Sequence, residues 1–155
     1  MVKATHFSFG GTAAVVTSMA LIIGLAAASA SKAAIVSGLL IVAIADNLSD
    51  SLSIHLYQES ESLEPRAAFR STLTNFATRL LVSLVFILIV LALPHRATIP
   101  AAIAWGVGLL VALSFLIARQ RGLGPASEAV KHVAAAAAII AISRTIGAWI
   151  PAHLP

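Results

Sequence analysis

The sequence predicts an all-α integral membrane protein, and two observations support this prediction. Hydrophobic residues make up 59% of the 155 residues and charged residues only 10%, against about a quarter charged in ordinary soluble domains. A soluble domain of this length could not bury so much apolar surface, because a large share of its residues must face water. In addition, five stretches are long and apolar enough to span a bilayer, which takes about 20 residues in a helix.

The five stretches define the predicted helices in order. The predicted spans cover residues 9–28, 33–56, 73–93, 99–118 and 129–150, within a single transmembrane domain over residues 1–155. Short polar breaks at 29–32, 64–66, 94–96 and 120–125 separate them. The first span also resembles a secretory signal, with Lys3 before the apolar run and Ala28-Ser29-Ala30 after it. We expect a retained helix, because the run is long enough to cross the membrane.

Basic residues in the predicted loops indicate the orientation, since cytoplasmic loops carry an excess of Lys and Arg. Only Lys32 and Arg96 fall outside if the N-terminus is cytoplasmic. The cytoplasmic segments then hold Lys3, Arg66, Arg70, Arg119, Arg121 and Lys131. Trp105 and Trp149 would lie near the outer interface, where aromatic belts form. The sequence therefore predicts a cytoplasmic N-terminus and a C-terminus outside.

Composition and motifs exclude several classes of function. The formal net charge of +4 fits the excess of basic residues in cytoplasmic loops, and no basic and aromatic interleaving indicates a nucleic-acid partner. The absence of cysteine excludes disulfides and thiolate chemistry. No nucleophile elbow, phosphate loop or zinc-protease helix is present, so we expect no enzyme.

Carboxylates inside the second predicted span point to chemistry. Asp46 and Asp50 are four residues apart, so they share one helix face about 6 Å apart along the axis. Each carboxylate costs about 2.5–3.5 kcal/mol inside a membrane, even on insertion scales. Two on one face therefore need partners, water or a cation. Asn47 supplies a further oxygen, and the three residues form a candidate cation site facing the bundle interior or a cavity.

A salt bridge is the structural alternative for these carboxylates. Arg79 lies about as far inside the third span as Asp50 lies inside the second, counted from their shared loop. A pair between Arg79 and either Asp46 or Asp50 would hold the two helices together. One Arg is expected to satisfy only one carboxylate well, which leaves the other as a candidate carrier of a proton or cation. Asn75 either joins this face or packs in the bundle.

The available ligands limit which metal the site could bind. Carboxylate and amide oxygens suit Fe²⁺, Mn²⁺ or Mg²⁺, whereas copper(I) is disfavoured without cysteine and with Met19 as the single internal methionine. Glu59, one turn from His55 at the end of the second span, is a further candidate ligand at a cation-concentrating mouth. An ordinary solvated helix end is the alternative for Glu59. We expect no permanently bound cofactor.

Several motifs occur together in chain order. They are Gly10-Gly11 at the start of the first span, Asp50-x-Leu52-Ser53-Ile54 in the second, a Glu-rich helix end, and Ile142-Ser143-Arg144-Thr145-Ile146-Gly147 in the fifth. Over nearly the whole chain this order resembles the vacuolar iron transporter family, including its nodulin-21-like and bacterial members. The resemblance implies five transmembrane helices, a homodimer in the lipid bilayer, and export of Fe²⁺ or Mn²⁺ from the cytosol in exchange for protons. We expect the inner (plasma) membrane of a bacterium as its location.

The resemblance also carries residue roles. Asp50 stands where the family has a glutamate, Leu52-Ser53-Ile54 matches its Leu-Ser-Val, and Glu59 matches a glutamate farther along that helix. Gly24 matches a glycine late in the first span. Two departures mark a divergent form. Ala13-Ala14 replaces the family's metal-binding Asp-Gly pair, and Asp46 stands where the family has methionine or a small residue. The cytoplasmic metal-binding insert is absent, and only residues 59–70 remain there.

Two hypotheses from different classes follow. The first is a homodimeric, proton-coupled transporter of divalent cations that binds Fe²⁺ or Mn²⁺ at Asp46 and Asp50, with Asn47 and Asn75 assisting. The second is a non-transporting membrane scaffold or regulatory protein derived from the same family, in which the pairing with Arg79 is purely structural.

Overall fold

The structure, a computed structural model, describes residues 4–61, 64–122 and 124–153. These residues form five α-helices and no strand: α1 Ala4–Ala27, α2 Lys32–Ser60, α3 Pro65–Ala92, α4 His95–Arg121 and α5 Pro125–His153. Each helix contains a segment long and apolar enough to cross a membrane. The predicted fold class, an all-α integral membrane protein with five spanning helices, is confirmed. Most helices extend a turn or more beyond the predicted spans, because the flanking polar residues continue the helix.

Local sequence signals define where several helices begin and end. The hydroxyl of Ser31 caps α2 by accepting a hydrogen bond from the backbone N–H of Ala34, at 3.2 Å. Gly122 ends α4 with a φ of 67°, in the left-handed region that favours glycine. Lys32 Nζ donates to the carbonyl oxygen of Leu91 at 2.9 Å, one of the last carbonyls of α3. This bond ties the first turn of α2 to the last turn of α3.

α1 is the central helix and packs against each of the other four. The backbones of α1 and α5 approach closely, since a Cβ on Gly147 would overlap the carbonyl oxygen of Gly24. The apolar core surrounds α1 and lies mostly in the half of the bundle where α2 begins and α3 ends, which we call the Lys32 end. Its largest members are Val15, Met19, Ile22, Ile35, Leu39, Phe86, Val90 and Leu110.

α2 lies at the edge of the bundle, packed on α3 and to a smaller extent on α1. We call the other half of the bundle the Ser60 end, because α2 ends and α3 begins there. Along its outer side α2 exposes large apolar residues: Ile41, Ile44, Leu48, Leu52 and Leu56. Such a face is suited to lipid or to another membrane helix and not to water. The polar residues of α2 lie beside this face and at its contact with α3.

Candidate functional site: a buried ion cluster between α2 and α3

The charged residues singled out in the sequence meet halfway along their helices. Asp46 is the central residue of α2, and Arg79 lies at the centre of α3. Because α2 and α3 are antiparallel neighbours, the two centres are brought side by side. The cluster therefore lies at mid-depth in the bundle, which in a bilayer is the depth farthest from water on either side.

Arg79 is held by three side chains of α2 and is only 2% exposed. Its Nη2 lies 2.5 Å from Oδ2 of Asp46, and its Nη1 pairs with Oδ2 of Asp50. Its Nε donates to Oδ1 of Asn47 at 2.6 Å. Charge-assisted bonds from a planar guanidinium are among the strongest and most directional hydrogen bonds in proteins. We call these four residues the ion cluster.

Helix periodicity explains why one guanidinium reaches three partners. Asp46 and Asp50 are one turn apart on the same face of α2, and Asn47 follows Asp46 around the helix toward α3. Asn47 is 1% exposed, so it occupies the contact between the helices. The two carboxylates flank this contact, and the fork of Arg79 extends across it. The expectation that Arg79 satisfies only one carboxylate is wrong, because the five N–H donors of guanidinium allow separate contacts to both.

The carboxylates are far more accessible than their partner. The side chain of Asp46 is 44% exposed and that of Asp50 is 42% exposed. Two carboxylates and one guanidinium carry a formal charge of −1 at the centre of the helices. An uncompensated charge at this depth is costly, so the open side of the ion cluster requires a further positive group, water or protein.

Asn75 belongs to the surroundings of the ion cluster. It lies one turn before Arg79 on α3 and is 1% exposed, and its Nδ2 lies 3.5 Å from the hydroxyl of Ser51 on α2. Gly10 of α1 makes room for it, since a Cβ at Gly10 would overlap Oδ1 of Asn75 and crowd Arg79. Of the two alternatives for Asn75, the structure shows packing against the carboxylate-bearing helix without a contact to either carboxylate.

Glu59 does not lie at the ion cluster. It stands nine residues beyond Asp50 on α2, about 13.5 Å along the helix axis. Its carboxylate is 57% exposed and lies 3.4 Å from Nε2 of His55. The two residues form an exposed i, i+4 pair near the Ser60 end. Ala13 is half-buried on α1 and brings no oxygen ligand in its side chain.

A polar layer extends from the ion cluster toward the Ser60 end, and apart from Asn47 and Asn75 its members were not predicted from the sequence. Nε2 of Gln58 donates to the hydroxyl of Ser71 at 2.9 Å, so α2 and α3 are joined again closer to the Ser60 end. Gln58 is 6% exposed and Ser51 is 3% exposed. Asn47, Ser51 and Gln58 follow the helical spacing of four and seven residues along one face of α2, a signal visible in the sequence. We call Asn47, Ser51, Gln58, Ser71 and Asn75 the polar seam.

A second polar contact joins α4 and α5. The hydroxyl of Ser114, 2% exposed, donates to the carbonyl oxygen of Leu110 at 2.6 Å and lies 2.9 Å from Nδ1 of His132. The same Nδ1 lies 2.9 Å from the carbonyl oxygen of Glu128. Since a carbonyl only accepts, Nδ1 is the donor in this arrangement. His132 lies inside α5 and contributes to the packing of α5 against α4.

Over the described residues, no place gathers three or more His, Cys, Asp or Glu side chains in a metal-binding group. Within one chain, the candidate ligands at mid-depth are Asp46 and Asp50, while Oδ1 of Asn47 is already engaged by Arg79. No family model matches the chain, and neither a curated protein nor a solved structure matches it. The fold and the ion cluster thus define an integral membrane protein of five helices with two half-exposed carboxylates around one buried guanidinium.

Proposed function

We propose that the protein is a membrane transporter of cations and that Asp46 and Asp50 carry the cation. The observation that supports this proposal is the unequal exposure of the ion cluster. The side chain of Arg79 is almost fully buried, whereas each carboxylate side chain keeps more than 40% of its surface exposed. A purely structural bridge gains nothing from open carboxylates at mid-depth, since they add desolvation cost. A carrier requires them, because its cargo must reach the oxygens and leave again.

The cargo in this proposal is a divalent cation, Fe²⁺ or Mn²⁺, exchanged for protons. Carboxylate oxygens bind such hard or borderline ions, and metal binding releases protons because ligands bind in their deprotonated form. The resemblance to vacuolar iron transporters supports the same cargo. With a cytoplasmic N-terminus and a bacterial inner membrane, as the sequence predicts, the direction of transport is out of the cytosol.

A second copy of the chain completes the site in this proposal. One chain offers two carboxylates at mid-depth, fewer oxygens than divalent ions commonly take from a protein. α2 lies at the edge of the bundle with an apolar outer side next to the open carboxylates. Two such faces meeting about a two-fold axis would bury the apolar residues and place four carboxylates around one cavity.

The charges of this dimer match a divalent cargo. Four carboxylates and two guanidiniums give a formal charge of −2, which one divalent cation or two protons neutralise. Exchange of one metal ion for two protons then leaves the cavity neutral in both loaded states. Neutral loaded states are favourable at mid-depth, where a net charge is costly.

The transport proposal predicts that removing one negative charge abolishes metal uptake while the helices stay paired. Asp46→Asn or Asp50→Asn leaves Arg79 one carboxylate, so the ion cluster becomes neutral and the fold is retained. Mn²⁺ uptake into proteoliposomes, driven by a pH gradient, is expected to fall by at least about 10–100-fold, the loss typical of removing even an outer-shell metal partner.

Glu59→Gln is the matched control for this measurement. Glu59 is a carboxylate of the same helix but is 57% exposed and paired with His55 near the Ser60 end. The Glu59→Gln variant is expected to take up Mn²⁺ at the level of the parent protein or only slightly below it. Uptake that survives in both aspartate variants would overturn the assignment of the carrier, and uptake lost equally in Glu59→Gln would move the site to the end of α2.

The dimer is tested by cross-linking through α2. The chain contains no cysteine, so Ser49→Cys, on the exposed side of α2 between the two aspartates, provides a single thiol. Mild oxidation in membranes is expected to give a species of twice the 16.0 kDa chain mass. Thr145→Cys, equally exposed but on α5, is the control and is expected to remain monomeric. Cross-linking through α5 alone would contradict the α2 interface.

The scaffold or regulatory protein remains the second candidate, and a specific observation favours it. Arg79 is bound by three side chains of α2, so it joins α2 to α3. Apart from it, the two helices contact each other through apolar residues toward the Lys32 end and through the polar seam toward the Ser60 end. Under this candidate the ion cluster serves only helix pairing. The protein would then transport no metal, and the ion cluster could be replaced by apolar residues without loss of any activity.

A further inference from the structure

We propose that the polar seam is a hydrated path that admits water, and with it protons, to the ion cluster from the Ser60 end alone. The proposal deepens the transport proposal, because it concerns how protons reach the same carboxylates. It commits to one route, between α2 and α3 within a single chain. This route is distinct from the outer face of α2, where the second copy would lie.

The first support is the position of the buried polar atoms that lack a protein partner. Among the described side chains there are four such atoms: Nδ2 of Asn47, Nδ1 of His55, Oε1 of Gln58 and Oδ1 of Asn75. All four lie on α2 and α3, and they extend from the ion cluster, which contains Asn47, toward the Ser60 end. A buried donor or acceptor without a partner carries the full cost of its desolvation, and ordered water is its usual partner.

The second support is that these atoms form a continuous series in depth. Asn47 and Gln58 are eleven residues apart on α2, about 16 Å along the axis. Ser51, with Asn75 opposite it on α3, fills the interval. The series contains both donors and acceptors, so successive waters can each find two or more polar partners. His55, whose side chain is 28% exposed, lies between Ser51 and Gln58 in depth and pairs with Glu59 at the outer end of the series.

The third support is that the buried side chains of α2 and α3 in the other half are apolar, except for Ser83. Beyond Arg79, toward the Lys32 end, α2 and α3 contribute Ile35, Leu39, Ala43, Phe86, Ile87 and Val90, all buried. In the part of the chain that the structure describes, no buried side-chain atom lacks a partner in that half. A dry, close-packed half next to a polar half gives the ion cluster access to water from one side only.

Thiol access to Ag⁺ tests the hydrated path directly, and the chain without cysteine is a suitable background. Ser51→Cys places a thiol in the polar seam, and Ser83→Cys places one on α3 a turn beyond Arg79. The two serines are both 3% exposed, so burial alone predicts equal reactivity. Ag⁺ replaces the thiol proton, and the blocked fraction is measured by later alkylation and mass spectrometry. Glu61→Cys, exposed after the last turn of α2, marks the side of the membrane at the Ser60 end.

In vesicles free of chloride, Ser51→Cys is expected to react from the side where Glu61→Cys reacts. Its rate should exceed that of Ser83→Cys by about tenfold or more, a factor that corresponds to about 1.4 kcal/mol. Adding Gln58→Leu to Ser51→Cys is expected to slow the reaction, because an apolar side chain of similar length interrupts the seam. Equal rates for the two thiols, reaction from the opposite side, or no effect of Gln58→Leu would each overturn the proposal.

A second variant and a readout that is independent of transport complete the test. If Ser51→Cys does not give folded protein, Asn75→Cys takes its place, since Asn75 is also buried in the seam and is 1% exposed. The readout does not require transport. Access at Ser51 with no metal uptake would support the hydrated path and reject the transporter, whereas uptake without access would support the transporter and reject the path.

Discussion

Arg79→Leu is expected to destabilise the protein by about 3 kcal/mol, the lower end of the range for breaking a buried ion pair by removing one partner. The cause is the charge left behind, since Asp46 and Asp50 would carry −2 at mid-depth and, among the described residues, Arg79 is the one basic side chain paired with them. Because both carboxylates are partly exposed, we expect a loss of stability at the lower end of the range for buried ion pairs. In detergent, the midpoint of thermal unfolding should fall on the order of 10 °C, and less protein should elute as a single species.

Arg144→Leu is the matched control for that experiment. Arg144 is also an arginine inside a spanning helix, but it is exposed on α5 and lies away from the ion cluster. Replacing an exposed arginine by leucine in a lipid-facing helix removes a costly charge, so stability should stay the same or rise. An equal loss of stability in both variants would show that the effect comes from arginine packing in general. That result would contradict the role given to the ion cluster.

The spanning helices could be predicted from the sequence because their cause is local. A bilayer requires every backbone polar group to bond within its own segment, so an apolar stretch of sufficient length is helical regardless of its neighbours. The polar breaks at 29–32 and 94–96 are equally clear in the sequence, and each overlaps an observed break between helices, at 28–31 and 93–94. The exact ends were less predictable, because polar residues such as those of 57–60 continue α2 beyond the apolar stretch.

The candidate site was predictable only in part, because it depends on which helices are neighbours. Equal depth from a shared loop placed Arg79 opposite Asp50, and antiparallel packing of α2 on α3 makes that prediction correct. The number of partners could not be derived from depth alone. The number of side chains that bind Arg79 depends on the rotation of α2 about its axis. This rotation places Asn47 in the contact between α2 and α3 and leaves both carboxylates at the edge of that contact. The helical spacing of Gln58 from Asn47 and Ser51 is visible in the sequence, whereas Ser71 is not unusual until the two helices are paired.

A variant without the ion cluster separates the two proposed functions most sharply. It combines Asp46→Leu, Asn47→Leu, Asp50→Leu and Arg79→Met, so no charge and no amide of the ion cluster is left behind. Replacing a buried ion pair by apolar residues of similar volume is often neutral or stabilising by about 1–4 kcal/mol. The midpoint of thermal unfolding is therefore expected to equal or exceed that of the parent, in contrast to Arg79→Leu alone.

Metal uptake by the same variant is expected to be lost entirely, because no intramembrane oxygen ligand of α2 named in the transport proposal remains. If the variant is stable but takes up no metal, while the parent transports Mn²⁺, the charges serve transport and do not stabilise the protein. A parent that transports nothing, with an equally stable variant, would favour the scaffold. A variant that cannot fold would show instead that α2 pairs with α3 only through Arg79. In that case, the open carboxylates would be a consequence of helix pairing, and the transport proposal would lose its main support.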